Sequence, residues 1–115
     1  SVADFDDFEL VNFNRQAGAF TSTIDQPKLK TLIKMAREIN PQLDIREFPK
    51  GINRSNTDDF LSGAHLYLDG LDFFAVEPRV DVFAACHQLS IPAVTAAPLG
   101  IGVALLNFLP GRMSF

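Results

Sequence analysis

Apolar residues at Leu29, Leu32, Ile33, Ala36 and Ile39 recur at three- and four-residue intervals, the spacing that lines one face of an α-helix. Asp25 reads as the N-cap of that helix with Pro27 tolerated in its first turn, and Asn40-Pro41 ends it. Ahead of it, Val2–Phe5 predicts a short strand, and residues 10–23 lack a clean period and read as an ordered loop. Behind it, Leu43, Ile45 and Phe48 predict a strand that leaves through Pro49-Lys50-Gly51. A short helix over 57–62 follows, started by Asn56 or Thr57. Residues 64–68 then predict a buried strand delivering Asp69 and Asp72 at its carboxyl end. A second long helix is predicted over 76–89, with Val80, Phe83, Ala84 and His87 along one side. Buried strands over 91–96 and 103–108 complete the pattern.

Strands alternating with helices predict an α/β fold, Rossmann-like, with a mainly parallel sheet flanked by helices. No internal repeat, low-complexity segment or linker divides the 115 residues, so the reading is one domain. Apolar residues make up 47% and charged residues 21%, which excludes intrinsic disorder.

The net charge of −4 argues against nucleic-acid binding, which needs a basic surface. Its distribution is more informative than its total. Residues 1–9 are acidic, residues 10–54 carry a net +4, and residues 55–81 hold six acids against the single base Arg79. A basic middle between acidic flanks fits either solvated faces that cancel or a polyanion site facing a metal-binding carboxylate.

The acidic start, with Asp4, Asp6, Asp7 and Glu9, is unlike a signal peptide. Residues 88–111 are free of charge, but Pro92, Pro98, Pro110, Gly100 and Gly102 interrupt them, so strands fit better than a membrane span. A cytoplasmic location is the resulting expectation. The one cysteine, Cys86, excludes an internal disulfide and a multi-thiolate zinc site.

Ligands of open α/β sheets bind at the carboxyl ends of the strands, and three features of the chain fall there. Asp4 ends the first strand, placed to accept hydrogen bonds from a ribose. Arg15 and Lys28 form a basic group, with Lys28 near a helix N-terminus where the dipole favours anions. Asp72 lies beyond a strand, where a carboxylate can hold Mg²⁺. Together they describe a nucleoside triphosphate site, although each alone also reads as an ordinary turn or surface residue.

The spelling of these segments narrows the choice. Asp4-Phe5-Asp6, Asn12-Phe13-Asn14-Arg15-Gln16, Gln26-Pro27-Lys28, Ile39-Asn40-Pro41, Asp69-Gly70-Leu71-Asp72 and Ile91-Pro92 occur in that order. The arrangement resembles the ThiF/MoeB/HesA superfamily, prokaryotic relatives of ubiquitin-activating enzymes, over nearly the whole chain. The resemblance implies that Asp4 binds the ribose, that Asn12, Arg15 and Gln16 line the triphosphate, and that Arg15 clamps phosphate. It further implies that Lys28 contacts phosphate during acyl transfer and that Asp72 binds Mg²⁺. The implied reaction is ATP-dependent adenylation of a C-terminal carboxylate on a ubiquitin-like or sulfur-carrier protein ending in Gly-Gly, within a homodimer.

Two departures accompany the resemblance. The family's glycine-rich phosphate loop lies before the Asp4 strand and is not in this sequence, so the chain reads as an N-terminally truncated, partial adenylation domain, inactive alone. Leu71 and Phe73 stand where the family carries Thr and Asn around its metal-binding aspartate. They leave open a degenerate member serving as a structural dimer half. An NAD-dependent oxidoreductase fragment also stays open, since a strand-end Asp suits NAD ribose, although it gives Arg15 and Lys28 no purpose. Cys86, His65 and His87 read as structural, and Phe73 and Phe74 as lining the site or a dimer contact.

Overall fold

The computed structural model describes residues 1–113 and Phe115. The chain forms two compact units, Ser1–Ile52 and Asn53–Phe115.

In the first unit, strand β1 (Val2–Ala3) lies parallel to strand β2 (Glu47–Phe48), with Val2 opposite Glu47 and Ala3 opposite Phe48. Helix α1 (Lys28–Ile39) joins them in sequence. Leu29 and Ile33, one helical turn apart, are buried with Phe8 and Ala19, while Lys30, Lys34 and Arg37 face solvent. The predicted helical face is therefore correct, except that Ile39 is exposed. Asn40 ends the helix with an extended backbone (φ −140°, ψ 102°), as expected of a residue before proline.

The helix begins later than its sequence signals predict. Pro27, not Asp25, is the N-cap, and Asp25 has a left-handed φ of 59°. The reason is competition for backbone groups. Asp25 N–H donates to the Phe8 carbonyl (2.9 Å), Phe8 N–H to Gln26 (3.0 Å) and Lys28 N–H to Asp6 (2.9 Å), so residues 25–28 are tied to residues 6–8 before helical bonding starts. The strand predicted from Leu43, Ile45 and Phe48 likewise shrinks to Glu47–Phe48, and β1 is two residues long.

Between these elements the loop is ordered. A 3₁₀ turn spans Leu10–Asn12 and further turns continue it. Gly18 is required at its position. Its φ is +86°, and a Cβ there would sit 3.1 Å from Phe8 Cζ and 3.2 Å from Met35 Sδ.

The second unit contains helix α2 (Thr57–Leu61), strand β3 (Tyr67–Asp69), helix α3 (Val76–Gln88), strand β4 (Ala93–Leu99) and strand β5 (Gly102–Phe108). Its sheet has the order β3-β4-β5, with β3 and β4 parallel and β4 and β5 antiparallel. The parallel pairs β1/β2 and β3/β4 agree with the expected topology. The last pair is antiparallel because Gly100 and Ile101 alone separate β4 from β5, too few residues for a parallel crossover.

Edge-to-face aromatic contacts run through this unit's core. Ring centroids lie 6.3 Å apart for Phe60 and Tyr67, 5.6 Å for Tyr67 and Phe83, and 5.0 Å for Phe83 and Phe108. Leu61, Val82, Cys86 and Ala93 are buried in the same unit.

Two burial expectations are corrected. On α3 the buried residues are Val82, Phe83 and Cys86, while Val80, Ala84 and His87 are exposed. The strands predicted as buried are one-sided. Tyr67, Ala93 and Phe108 point inward, whereas Leu68, Val103 and Leu105 are exposed, because successive strand residues face opposite sides and only one side is covered. The charge-free run of 88–111 is thus mostly a hairpin, and no helix among the described residues is long and apolar enough to cross a membrane.

Candidate functional site

The first unit holds most of the predicted polar residues, on two turns. At the end of β1, Asp4 is half-buried and its Oδ1 accepts the Asp6 N–H at 2.9 Å. Asp6 in turn meets Lys28, both through the backbone bond and through an ion pair of 3.3 Å between Lys28 Nζ and Asp6 Oδ2. Asp4 and Lys28 are therefore joined through one residue, although 24 positions separate them in the chain.

The second turn carries Asn12, Arg15 and Gln16. Asn12 is buried, its Oδ1 accepts the Glu9 N–H at 2.8 Å, and its carbonyl accepts the N–H groups of Arg15 (3.1 Å) and Gln16 (2.9 Å). Asn12 thus shapes the turn that presents its neighbours. Arg15 is exposed, and its guanidinium donates to the Val11 carbonyl at 2.6 Å and to Asn14 Oδ1 at 3.1 Å. Those bonds use one nitrogen and leave the rest of the guanidinium fork facing solvent.

Asp72 belongs to the second unit, in the segment between β3 and α3. Its side chain is exposed, its carbonyl accepts the Ala75 N–H at 2.9 Å, and Phe73 and Phe74 beside it are exposed with ring centroids 5.3 Å apart. A single exposed carboxylate suits Mg²⁺, which keeps most of its ligands as water and substrate phosphate. Among the described residues no group of three or more His, Cys, Asp or Glu could cage a metal by itself.

The buried carboxylate of this region is Asp69. Its side chain is 1% exposed, and it accepts hydrogen bonds from Arg79 Nε (2.8 Å), Thr95 Oγ1 (2.8 Å), the Leu71 N–H (3.1 Å) and the Tyr67 hydroxyl (3.2 Å). Four donors match the lone-pair capacity of one carboxylate. Burial, followed by the Asp69 charge and the hydrogen bond to it, pushes the Tyr67 phenol well above its ordinary range. Arg79 Nη2 also donates to the carbonyls of Leu71 (2.6 Å) and Asp72 (3.0 Å), and Nη1 to that of Phe73 (3.4 Å).

The sequence reading did not single out Asp69 with Arg79. The available signal was Arg79 itself, a lone base among six acids, ten residues after a strand-end aspartate.

Burial separates the remaining candidates. Cys86 is buried, and burial pushes its thiol from 9.0 up to about 11, which opposes a nucleophilic role. His65 is exposed and precedes β3 instead of opening it, and His87 is exposed on α3.

Comparison with known proteins places this arrangement. The Escherichia coli sulfur carrier protein ThiS adenylyltransferase is 30% identical over 109 residues, covering 95% of this chain and 43% of the relative. The crystal structure of the E. coli tRNA N6-threonylcarbamoyladenosine dehydratase TcdA in complex with AMP matches with a TM-score of 0.74 at 28% identity, covering 81% of this chain and 37% of that one. The structure of the same enzyme in complex with ATP gives a TM-score of 0.73 at 26% identity, covering 81% and 38%. The chain therefore spans less than half the length of each of these relatives. An α/β arrangement shared with nucleotide-bound structures, together with a match to the ThiF family over residues 1–113, establishes that the chain belongs to the ThiF family.

Proposed function

We propose that the protein carrying this chain adenylates the C-terminal carboxylate of a ubiquitin-like or sulfur-carrier protein ending in Gly-Gly. The observation that carries this reading is the joining of Asp4 and Lys28 through Asp6, in the same compact unit as a turn that presents Arg15 and Gln16, in a chain whose relatives include an adenylyltransferase and a protein solved with AMP and ATP.

In this reading an oxygen of the substrate carboxylate attacks the α-phosphorus of ATP. The bond from that phosphorus to its bridging oxygen breaks, and pyrophosphate leaves with the bridging oxygen and its electron pair. Asp4 accepts hydrogen bonds from the ribose hydroxyls. Asn12 keeps the turn in shape, so that Gln16 and Arg15 line the triphosphate. Arg15 clamps phosphate oxygens through its planar fork. Lys28 exchanges its half-exposed Asp6 partner for phosphate and opposes the charge that builds up there in the transition state. Asp72 would hold Mg²⁺, which supplies further neutralisation of phosphate charge. Reactant positioning and charge stabilisation, rather than covalent catalysis, supply the acceleration. A homodimer in the cytoplasm is the setting that goes with this reading.

The test is ATP–pyrophosphate exchange by the full-length protein with candidate carriers. Exchange that depends on an intact carrier C-terminus supports the reading, and absence of both exchange and ATP binding refutes it. Leu71 and Phe73, flanking Asp72, favour a second reading, a member without chemistry that serves as a structural dimer half. That reading gains if the protein leaves Mg·ATP unbound yet raises the activity of a partner subunit. Tighter binding of NADH than of ATP would instead favour an oxidoreductase.

A further inference from the structure

The segment between β3 and α3 carries Asp72 but lacks regular backbone pairing of its own, so something else must hold it. Its backbone bonds are few: Leu71 N–H to Asp69 Oδ1 (3.1 Å), Ala75 N–H to the Asp72 carbonyl (2.9 Å) and Val76 N–H to the Phe74 carbonyl (2.9 Å). Its side chains give little anchorage, since Asp72, Phe73 and Phe74 are all exposed. The three successive carbonyls of Leu71, Asp72 and Phe73 converge instead on one guanidinium, that of Arg79.

We infer that Arg79 is a positioning residue that sets the place of the Asp72 carboxylate by gripping the backbone on both sides of it. The inference rests on the reading of Asp72 as the carboxylate that meets Mg²⁺. Arg79 is suited to the task for three reasons. It projects from the first turn of α3, one turn after the segment it grips. Its Nε is bound to Asp69 at the end of β3, and Asp69 is bound to Thr95, its cross-strand partner on β4, so the guanidinium is referenced to the sheet. Its charge is matched by Asp69 and not by Asp72, which leaves the Asp72 carboxylate to face solvent. A planar group with donors in a fixed fork can bind one carboxylate and several carbonyls together, and a lysine ammonium cannot reproduce that geometry.

The departure at Leu71 and Phe73 bears directly on this. Neither side chain offers a polar group to the segment, so the backbone grip is what orders it.

The deciding variants are Arg79→Lys, which keeps a charge for Asp69 but lacks the fork, and Arg79→Gln, which removes the charge. Both are made in the full-length protein. In Arg79→Lys the amides of Leu71 and Ala75 are expected to exchange hydrogen about tenfold faster or more, while those of Val82–Gln88 in α3 keep their protection. The Mg²⁺ concentration giving half-maximal ATP–pyrophosphate exchange is expected to rise about tenfold, the usual scale for loosening a group that orients a metal ligand. The KM for the carrier protein stays as in the wild type. Arg79→Gln is expected to show the same pattern more strongly, and if it fails to fold, Arg79→Lys decides alone.

Unchanged exchange at Leu71 and Ala75 in Arg79→Lys overturns the inference. So does equal loss of protection along α3, which would make Arg79 a support of the helix and not of the segment. Wild-type protein with neither ATP–pyrophosphate exchange nor ATP binding refutes the adenylation reading instead, and Mn²⁺ binding followed by electron paramagnetic resonance then replaces the activity arm. Mn²⁺ affinity equal in wild type and Arg79→Lys would overturn the inference in that case.

Discussion

The two units each contain an ion pair with a sheltered cation, and the pairs differ in how far solvent reaches the anion. In the first unit Lys28 meets Asp6 at 3.3 Å, with 12% of the lysine side chain and 43% of the aspartate exposed. In the second, Arg79 meets Asp69 at 2.8 Å, with 13% of the arginine and 1% of the aspartate exposed. Both cations are largely sheltered. The difference lies with the anions. Asp6 has water to fall back on, so losing Lys28 costs it little and Lys28 can turn to another anion. Asp69 has no water to fall back on, and its four donors form a closed set that breaks only at high cost. An ion pair with one wet partner is a place where a ligand can compete, and an ion pair with a dry one is scaffolding.

The strongest way to break this contrast is Asp69→Ala. It strands the Arg79 charge, so a loss of about 3–5 kcal/mol is expected in guanidinium unfolding, and a loss below about 1 kcal/mol would remove the distinction. Lys28→Ala should act on chemistry instead. Nucleotide exchange is expected to fall by about a hundredfold or more, with stability changed by under about 1 kcal/mol. Arg15→Ala should behave in the same way, since its guanidinium is exposed. Retained turnover in either variant would refute its assigned role.

Asp6→Asn sharpens the comparison further. It frees Lys28 without removing it, so stability should shift by no more than about 1 kcal/mol and ATP affinity should hold or rise. A fall in ATP affinity would mean that Asp6 orients Lys28 and does not merely occupy it. The gentlest test uses the thiol in the interior of the second unit. Burial raises the Cys86 thiol from 9.0 to about 11, so the folded state favours its neutral form. The resulting stability is complete below pH 9.0 and is lost as pH rises through about 11. At pH 8 the native protein should resist iodoacetamide and react once unfolded, and Cys86→Ser should flatten that part of the stability curve. Rapid alkylation of native protein at pH 8 would contradict the burial.

Much of the fold was legible because it depends on local pattern. Leu29 and Ile33 mark the buried face of α1, Asn40-Pro41 marks its end, and the turn residues separate α2, β3 and α3 nearly where the structure has them. Helix ends and strand burial were less legible, because each depends on what a distant segment offers. The start of α1 is set by residues 6–8, which take the backbone groups of residues 25–28. Leu68, Val103 and Leu105 look like core residues in sequence, but a strand buries only the face that another layer covers.

The candidate site divides along the same line. Sequence order alone determined the family and named Asp4, Asn12, Arg15, Gln16, Lys28 and Asp72, because residue types at fixed spacing record a local chemistry whether or not the chain is folded. The tertiary structure decided which charges are free to act. It bound Lys28 to a partner that solvent can replace, left the Asp72 carboxylate exposed, and buried the Asp69 carboxylate against a largely sheltered Arg79. Charge is written in the sequence, but access to water is a property of packing, and packing separates an ion pair that solvent can reach from one whose anion it cannot.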